Sequence, residues 1–392
     1  MRRVDLFVVS VCVSLLLSGC ASKGEWYKEV EDVTTAEYSE MDMPDQISVE
    51  RYKIPLPDHA NECGADTCDG IIYYLVDYSD YLMDQTGVHD IPFEEKYNTQ
   101  VWAYDTRTGA NRLLYRYQED RCVRVGMICC NREHLMWEQY GQDGWKLVDL
   151  PLGEPSSEPR VIAERDSDRG ELWDISPVLT ENAVYWYDRQ DGDHPISLYR
   201  YGFEDGKVDR IRQGLDLRSP YESIVVSEGE TAVYENYEAG SNLIFYGLQE
   251  REESIVRVPV KICSPVISQE ICAWARGYDV GETEPIYVYH REEGILEAID
   301  VSPYQCPYYG VMDSFLFVIC RDYYEPADGG GLYCYDTDSK GYIRLPFDEE
   351  DYFFSIQHPA DGTLFMETSQ EGDRDSQENF FRAIIISKKE TG

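Results

Sequence analysis

Residues 331–346 read GLYCYDTDSKGYIRLP: an apolar and aromatic run, a turn built from Asp, Ser and Gly, and a second apolar run. Strand formers flanking turn formers spell a β-hairpin. The phrase returns as VWAYDTRTGANRLLY from residue 101 and as SLYRYGFEDGKVDRI from residue 197. A second phrase also repeats. Ser176-Pro177-Val178-Leu179-Thr180-Glu181-Asn182-Ala183-Val184-Tyr185-Trp186 keeps register with Ser264-Pro265-Val266-Ile267-Ser268-Gln269-Glu270-Ile271-Cys272-Ala273-Trp274. Both carry Ser-Pro-Val, an aliphatic residue, a hydroxyl, two polar residues and a run ending in Trp. IVVSEGETAVYEN (224–236) is a looser copy. Each copy reads as a strand, a tight polar turn and a second strand, followed by a third and a fourth.

The third strands start near 101, 145, 198, 244, 286, 332 and 382. A period of forty to fifty residues with four short strands per unit predicts propeller blades, not helical repeats. Runs such as AVYWY (183–187), IYVY (286–289) and LFVI (316–319) are apolar on both faces, as strands packed between neighbouring sheets would be. The seventh unit lacks a fourth strand, and QISVERYKI (46–54) at the other end of the chain is the candidate that closes the ring. The expected fold class is therefore all-β, a seven-bladed β-propeller of four-stranded antiparallel blades over residues 46–390. Eight blades, or six with an irregular insert, are the alternative counts. Leu332-Tyr333-Cys334-Tyr335-Asp336 followed by a Gly turn resembles the third strand of bacterial seven-bladed propellers of the TolB-like and YWTD-like kind, although the tetrapeptide YWTD is absent. That resemblance implies that the loops joining second to third strands lie on one face, near the mouth of a central channel.

The first residues predict an address. Arg2 and Arg3 precede LFVVSVCVSLLL (6–17), an apolar run too short to span a bilayer as a helix, which takes about 20 residues. The run ends in Leu17-Ser18-Gly19-Cys20, which resembles the lipobox of bacterial lipoproteins. The resemblance implies a signal peptide over 1–19 and lipidation at Cys20, with an extracytoplasmic, membrane-anchored product on an inner, outer or Gram-positive membrane. Residues 20–45, rich in acids and poor in apolar side chains, read as a flexible acidic tether.

The chain carries a formal net charge of −40, a field that disfavours nucleic acid and anionic lipid headgroups and favours cationic partners. The second-to-third-strand loops are 78–98, 138–144, 188–195, 235–242, 276–285, 321–331 and 368–379, rich in Tyr, Asp, Glu and Gly. Tyrosine beside carboxylate suits a cationic peptide segment or a sugar. The candidate binding residues are Asp188, Tyr237, Arg276, Tyr278, Arg321, Tyr323 and Tyr324. The acidic turns at 336–341 and 188–193 lack the later bidentate Glu of a calcium loop and read as hairpin turns.

No nucleophile elbow, zinc-protease helix, phosphate loop or dinucleotide fingerprint is present, and the six histidines stand singly. No metal or cofactor is expected. Beyond Cys12 and Cys20, ten cysteines permit disulfides outside the cytoplasm, with Cys306–Cys320 and Cys63–Cys68 as candidate pairs. The expected function is a monomeric, lipid-anchored binding or scaffolding module for an envelope or secreted protein or a glycan. A propeller-type carbohydrate-active hydrolase or lyase, with acids in the channel, is the alternative.

Overall fold

A computed structural model describes residues 27–389, apart from 58–59, 78–99, 117–123, 142–143, 154–157, 167–174, 176, 189–195, 216–223, 228, 276–284, 302–304, 322–330, 346–350, 359–361 and 371–379. Four strands come first in the chain: β1 (Tyr27–Glu29), β2 (Val33–Ala36), β3 (Ser39–Glu40) and β4 (Ile47–Pro55). Each belongs to a different sheet.

Seven sheets follow, each with its strands in sequence order and antiparallel. Blade 1 is β5 (Asn61–Cys68), β6 (Ile71–Asp77), β7 (Gln100–Asp105) and β8 (Asn111–Arg116). Blade 2 is β9 (Arg124–Cys130), β10 (His134–Gly141), β11 (Gly144–Pro151) and β12 (Arg160–Asp166). Blade 3 is β13 (Val178–Leu179), β14 (Ala183–Asp188), β15 (Ile196–Gly202) and β16 (Val208–Leu215). Blade 4 is β17 (Val226–Ser227), β18 (Glu230–Tyr237), β19 (Gly240–Gly247) and β20 (Glu253–Val258). Blade 5 is β21 (Cys263–Ile267), β22 (Ile271–Ala275), β23 (Ile286–His290) and β24 (Ile295–Ile299). Blade 6 is β25 (Gln305–Met312), β26 (Phe315–Arg321), β27 (Gly331–Asp336) and β28 (Gly341–Leu345). Blade 7 is β29 (Asp351–Gln357), β30 (Leu364–Gln370) and β31 (Phe380–Lys388), completed by β4.

The ring closes as the sequence predicts, with β4 antiparallel to β31 from Ile47↔Lys388 to Pro55↔Phe380. The strands apolar on both faces behave accordingly. In β14, Ala183, Tyr185 and Tyr187 pack with blade 4 residues such as Val233 and Ile244, while Val184 and Trp186 pack with blade 2 residues such as Met136 and Leu147. Polar staples add to these seams. Near the end of a second strand, Glu138 accepts the Ile175 amide (3.0 Å), and Asn236 clamps both the amide (3.1 Å) and the carbonyl (3.0 Å) of Ile262. Glu367 accepts the Ala65 amide (2.6 Å) across the closing seam. Burial, reinforced by Glu62, pushes the Glu367 carboxyl well above the usual range, so the staple holds its proton. The quoted turns are Asp-capped: Asp336 accepts the amides of Asp338 (3.1 Å) and Ser339 (3.3 Å), and Asp105 does the same for Arg107 (2.9 Å) and Thr108 (3.3 Å).

The reading of residues 20–45 as a tether is corrected from residue 27 onward. β1 pairs in parallel with β20, β2 with β24 and β3 with β28, so this segment straps the rims of blades 4, 5 and 6 before β4 enters blade 7. An open strand edge offers unpaired amides and carbonyls, and acidic side chains do not prevent the backbone from using them. The rims are matched to this role. In blades 4–6 the third and fourth strands pair without a register shift. In blades 1–3 the same pair is bulged, at Val101/Trp102, at Leu147/Val148, and at Ile196/Ser197 and Leu198/Tyr199. A bulge twists an edge away from further pairing; regular edges receive the strap.

Side chains latch the strap. Glu297 of β24 accepts from Tyr38 (3.0 Å) and Lys340 (2.8 Å), with His290 Nε2 at 3.3 Å, and Tyr38 packs edge-on against Tyr335 at 5.4 Å. Burial alone would raise the Glu297 carboxyl, but hydrogen bonds from His290, Lys340 and Tyr38 outweigh it and bring the pKa down from 4.5 to about 2. A depressed carboxyl stabilises the fold fully above its unfolded value and loses that contribution as pH falls toward the folded one. Glu297→Gln is therefore expected to cost about 2–3 kcal/mol at neutral pH, with the gap to wild type narrowing below pH ~4.5. Urea midpoints measured across pH check this, and a gap that stays constant down to pH 3 counts against the latch.

Candidate functional site

First and second strands meet at one end of the channel and second and third strands at the other, so the ring has two distinct mouths. At the second-to-third end, Arg276, Tyr278, Tyr323 and Tyr324 lie outside the described residues, as does the side chain of Arg321, whose backbone ends β26 opposite Gln305. The two remaining candidates are engaged within the chain. Asp188 is buried at the end of β14 and accepts from Arg165 of blade 2 (2.5 Å). The Tyr237 hydroxyl accepts from Arg257 Nε (2.6 Å), and that guanidinium also covers its ring at 4.7 Å. Two of the seven expected loops are tight hairpins: Tyr237 pairs with Gly240 and Gly141 with Gly144. Side chains at Gly240 and Gly144 would collide with the Val258 and Arg165 carbonyls, which keeps the next strand close.

The first-to-second end holds a cavity of about 550 Å³, where five first strands and their turns converge. The hydroxyl of the repeated phrase sits here, and its primary work is local. Thr180 Oγ1 donates to the Ala183 carbonyl (3.1 Å), and Ser268 Oγ donates to the Asp313 carbonyl (2.6 Å) while accepting the Ile271 amide (3.0 Å). Each caps its hairpin and presents a polar rim to the cavity. Lys388, at the end of β31, pairs with Asp313 in the same wall. His358 Nε2 is buried there without a hydrogen-bond partner, beside Gly310, where an added Cβ would stand 3.3 Å from that nitrogen. Burial lowers the His358 pKa to about 4, leaving a neutral imidazole in the wall at neutral pH.

An adjoining cleft of about 710 Å³ between blades 4 and 5 is acidic, with Glu230, Glu250, Glu270, Glu292, Glu293 and Asp338 against His290 and Arg291. Burial raises the Glu270 carboxyl, and Asp313 and Asp338 push it further. Among the described residues, no group of three or more His, Cys, Asp or Glu is placed to hold a metal ion. No helix among them is long and apolar enough to cross a membrane.

The cysteine pairs need revision. Cys63 and Cys68, expected to close a small loop, lie five residues apart along β5. At about 3.3 Å per residue their Cα atoms are roughly 16 Å apart, beyond the reach of a disulfide. Cys320 is buried in β26, and the side chain of its expected partner Cys306 lies outside those described.

No protein-family model matches the chain, and no curated protein matches it by sequence. Its fold does have solved counterparts. The β-propeller domain of the trilobed protease from Pyrococcus furiosus, described as having an open velcro topology, aligns with a TM-score of 0.57 and 10% identity, over 84% of this chain and 94% of that one. An acylaminoacyl peptidase in complex with Z-Gly-Gly-Phe-chloromethyl ketone aligns at 0.56 and 11%, over 84% of this chain and 52% of that one. The acylaminoacyl peptidase of Pyrococcus horikoshii aligns at 0.53 and 11%, over 79% and 49%. The chain thus spans about half the length of those two peptidases. Identities this low establish fold alone, and that fold is a seven-bladed β-propeller closed by its N-terminal strand.

Proposed function

We propose that the chain is a lipid-anchored, extracytoplasmic propeller that binds a cationic segment of an envelope or secreted protein, as a monomer. The cavity at the first-to-second end carries the reading: five blades bring hydroxyls and paired charges to one mouth, with the acidic cleft beside it. Clefts lined by one sign of charge focus the field and draw oppositely charged partners. The address rests on the lipobox-like Leu17-Ser18-Gly19-Cys20, and the TolB-like and YWTD-like resemblance accords with an envelope role.

Two interventions on one binding assay test the site. In a peptide and glycan array, Gln269→Ala with Glu292→Lys is expected to weaken capture of basic peptides at least about tenfold, a change of ~1.4 kcal/mol. Replacing Tyr323 and Tyr324 by Ser, or shortening the loop at 78–98, is expected to leave it intact. The reverse pattern returns recognition to the second-to-third loops, and glycan capture alone replaces the ligand class. Cys20→Ser is expected to move the protein from the membrane to the soluble fraction; unchanged fractionation would refute the anchor.

A further inference from the structure

β5 and β9 are the first strands of adjacent blades, and they are tied together beside two thiols. Asp66 of β5 accepts the backbone amide of Cys130, the last residue of β9, at 2.8 Å. Cys68 lies two residues beyond Asp66, on the same face of β5, because side chains alternate along a strand. Cys68 and Cys130 are both buried free thiols, packed in the one core shared by blades 1 and 2. Cys129 faces the opposite way, into the core between blades 2 and 3 with Met136 and Trp186. We propose that Cys68 and Cys130 form a disulfide joining blade 1 to blade 2 when the chain folds in an oxidising compartment. The compartment rests on the function proposed above; the pairing does not.

The chemistry requires an external oxidant, here a disulfide such as glutathione disulfide or that of a thiol–disulfide oxidoreductase. One cysteine thiolate attacks it, forming a mixed disulfide and expelling a thiolate. The second cysteine then attacks the protein sulfur of that mixed disulfide, closing the Cys68–Cys130 bond and releasing the second thiolate. Two protons leave the protein, and its two electrons reduce the oxidant. In the folded, reduced protein, burial raises the Cys130 thiol well above its usual range, and the neighbouring Cys68 and the Asp66 charge raise it further. A thiol so held is a poor nucleophile, so exchange belongs to folding, before the seam between the blades closes.

The experiment is oxidative refolding of the full reduced chain in a glutathione redox buffer, followed by alkylation and non-reducing peptide mapping. The expected result is a linked pair of peptides carrying Cys68 and Cys130, with Cys129 alkylated, and a higher melting temperature than the reduced protein. Cys68→Ala and Cys130→Ala are each expected to abolish the link. Wild-type protein under reducing conditions is the folded control should a variant fail to fold. A native-like product with both thiols alkylated, or Cys129 found in the link in place of Cys130, overturns the pairing. Mapping the protein expressed in a bacterium with its own residues 1–20 reads the address separately. A pair reduced in cells but oxidised in vitro refutes export and leaves the pairing standing.

Discussion

A chain beginning at residue 57 is expected not to fold cooperatively, whereas one beginning at residue 46 is expected to fold, with its melting temperature lowered by a few degrees. The two differ by β4. Ile47 and Ile54 are at most 1% exposed, and their odd separation sends them to opposite faces of the sheet. Ile47 joins Phe317, Leu332 and Leu364 in the core between blades 6 and 7; Ile54 joins Tyr74 and Phe365 in the core between blades 7 and 1. Emptying either site costs about 2–5 kcal/mol, and the edge of β31 is bared along its whole register as well. Together these losses rival the ~5–15 kcal/mol by which a whole domain is stable. Losing residues 1–45 removes only short strands, among them β1 with all three residues exposed, plus the Tyr38 latch. Circular dichroism melts and size-exclusion chromatography decide between the two, and a sharp, unshifted transition in the shorter chain would falsify the closure.

Asp149→Ala is expected to destabilise the protein by about 2–4 kcal/mol. Asp149 of β11 is fully buried, and both its oxygens are used. Oδ1 meets His134 Nδ1 at 2.9 Å, and Oδ2 meets Arg160 at 2.9 Å through Nε and 2.7 Å through the terminal nitrogen. The His134 ring in turn stacks on Phe203 of blade 3 at 3.8 Å. Removing the carboxylate strands a buried imidazole between two blades, while the half-exposed Arg160 can return to water, which keeps the estimate below that of a fully buried pair. Asp149→Asn is expected to recover only part of the loss, because the amide keeps an oxygen that can accept from Arg160 but lacks the charge that pairs with the guanidinium. Urea denaturation measures both variants; an alanine variant with the wild-type midpoint would show the pair to be ornamental.

Much of the architecture was legible because blades announce themselves through packing. The third-strand phrase ending in Asp336 and the all-apolar strand at 183–187 each carry a side-chain signature of their position between sheets. Residues 46–54 could be matched to a missing strand for the same reason. The strap could not be read this way, since parallel pairing at a rim is made by backbone and leaves Tyr27, Lys28 and Glu29 facing solvent. The site was partly legible. The hydroxyls at Thr180 and Ser268 were visible as a repeat, but their place at the cavity follows only from where the first strands end. The shared core of Cys68 and Cys130 joins residues of different blades, which no local spacing reports.

The strap also bears on posture. A free leash from Cys20 to Asp45 would let the ring hang at some distance from the lipid, in any orientation. With docking begun at Tyr27, only six residues lie between the proposed acylation point and the strand that pairs with the outer edge of blade 4, a contour of at most about 25 Å. If the proposed anchor holds, the rim of blade 4 would stay within about that distance of the lipid.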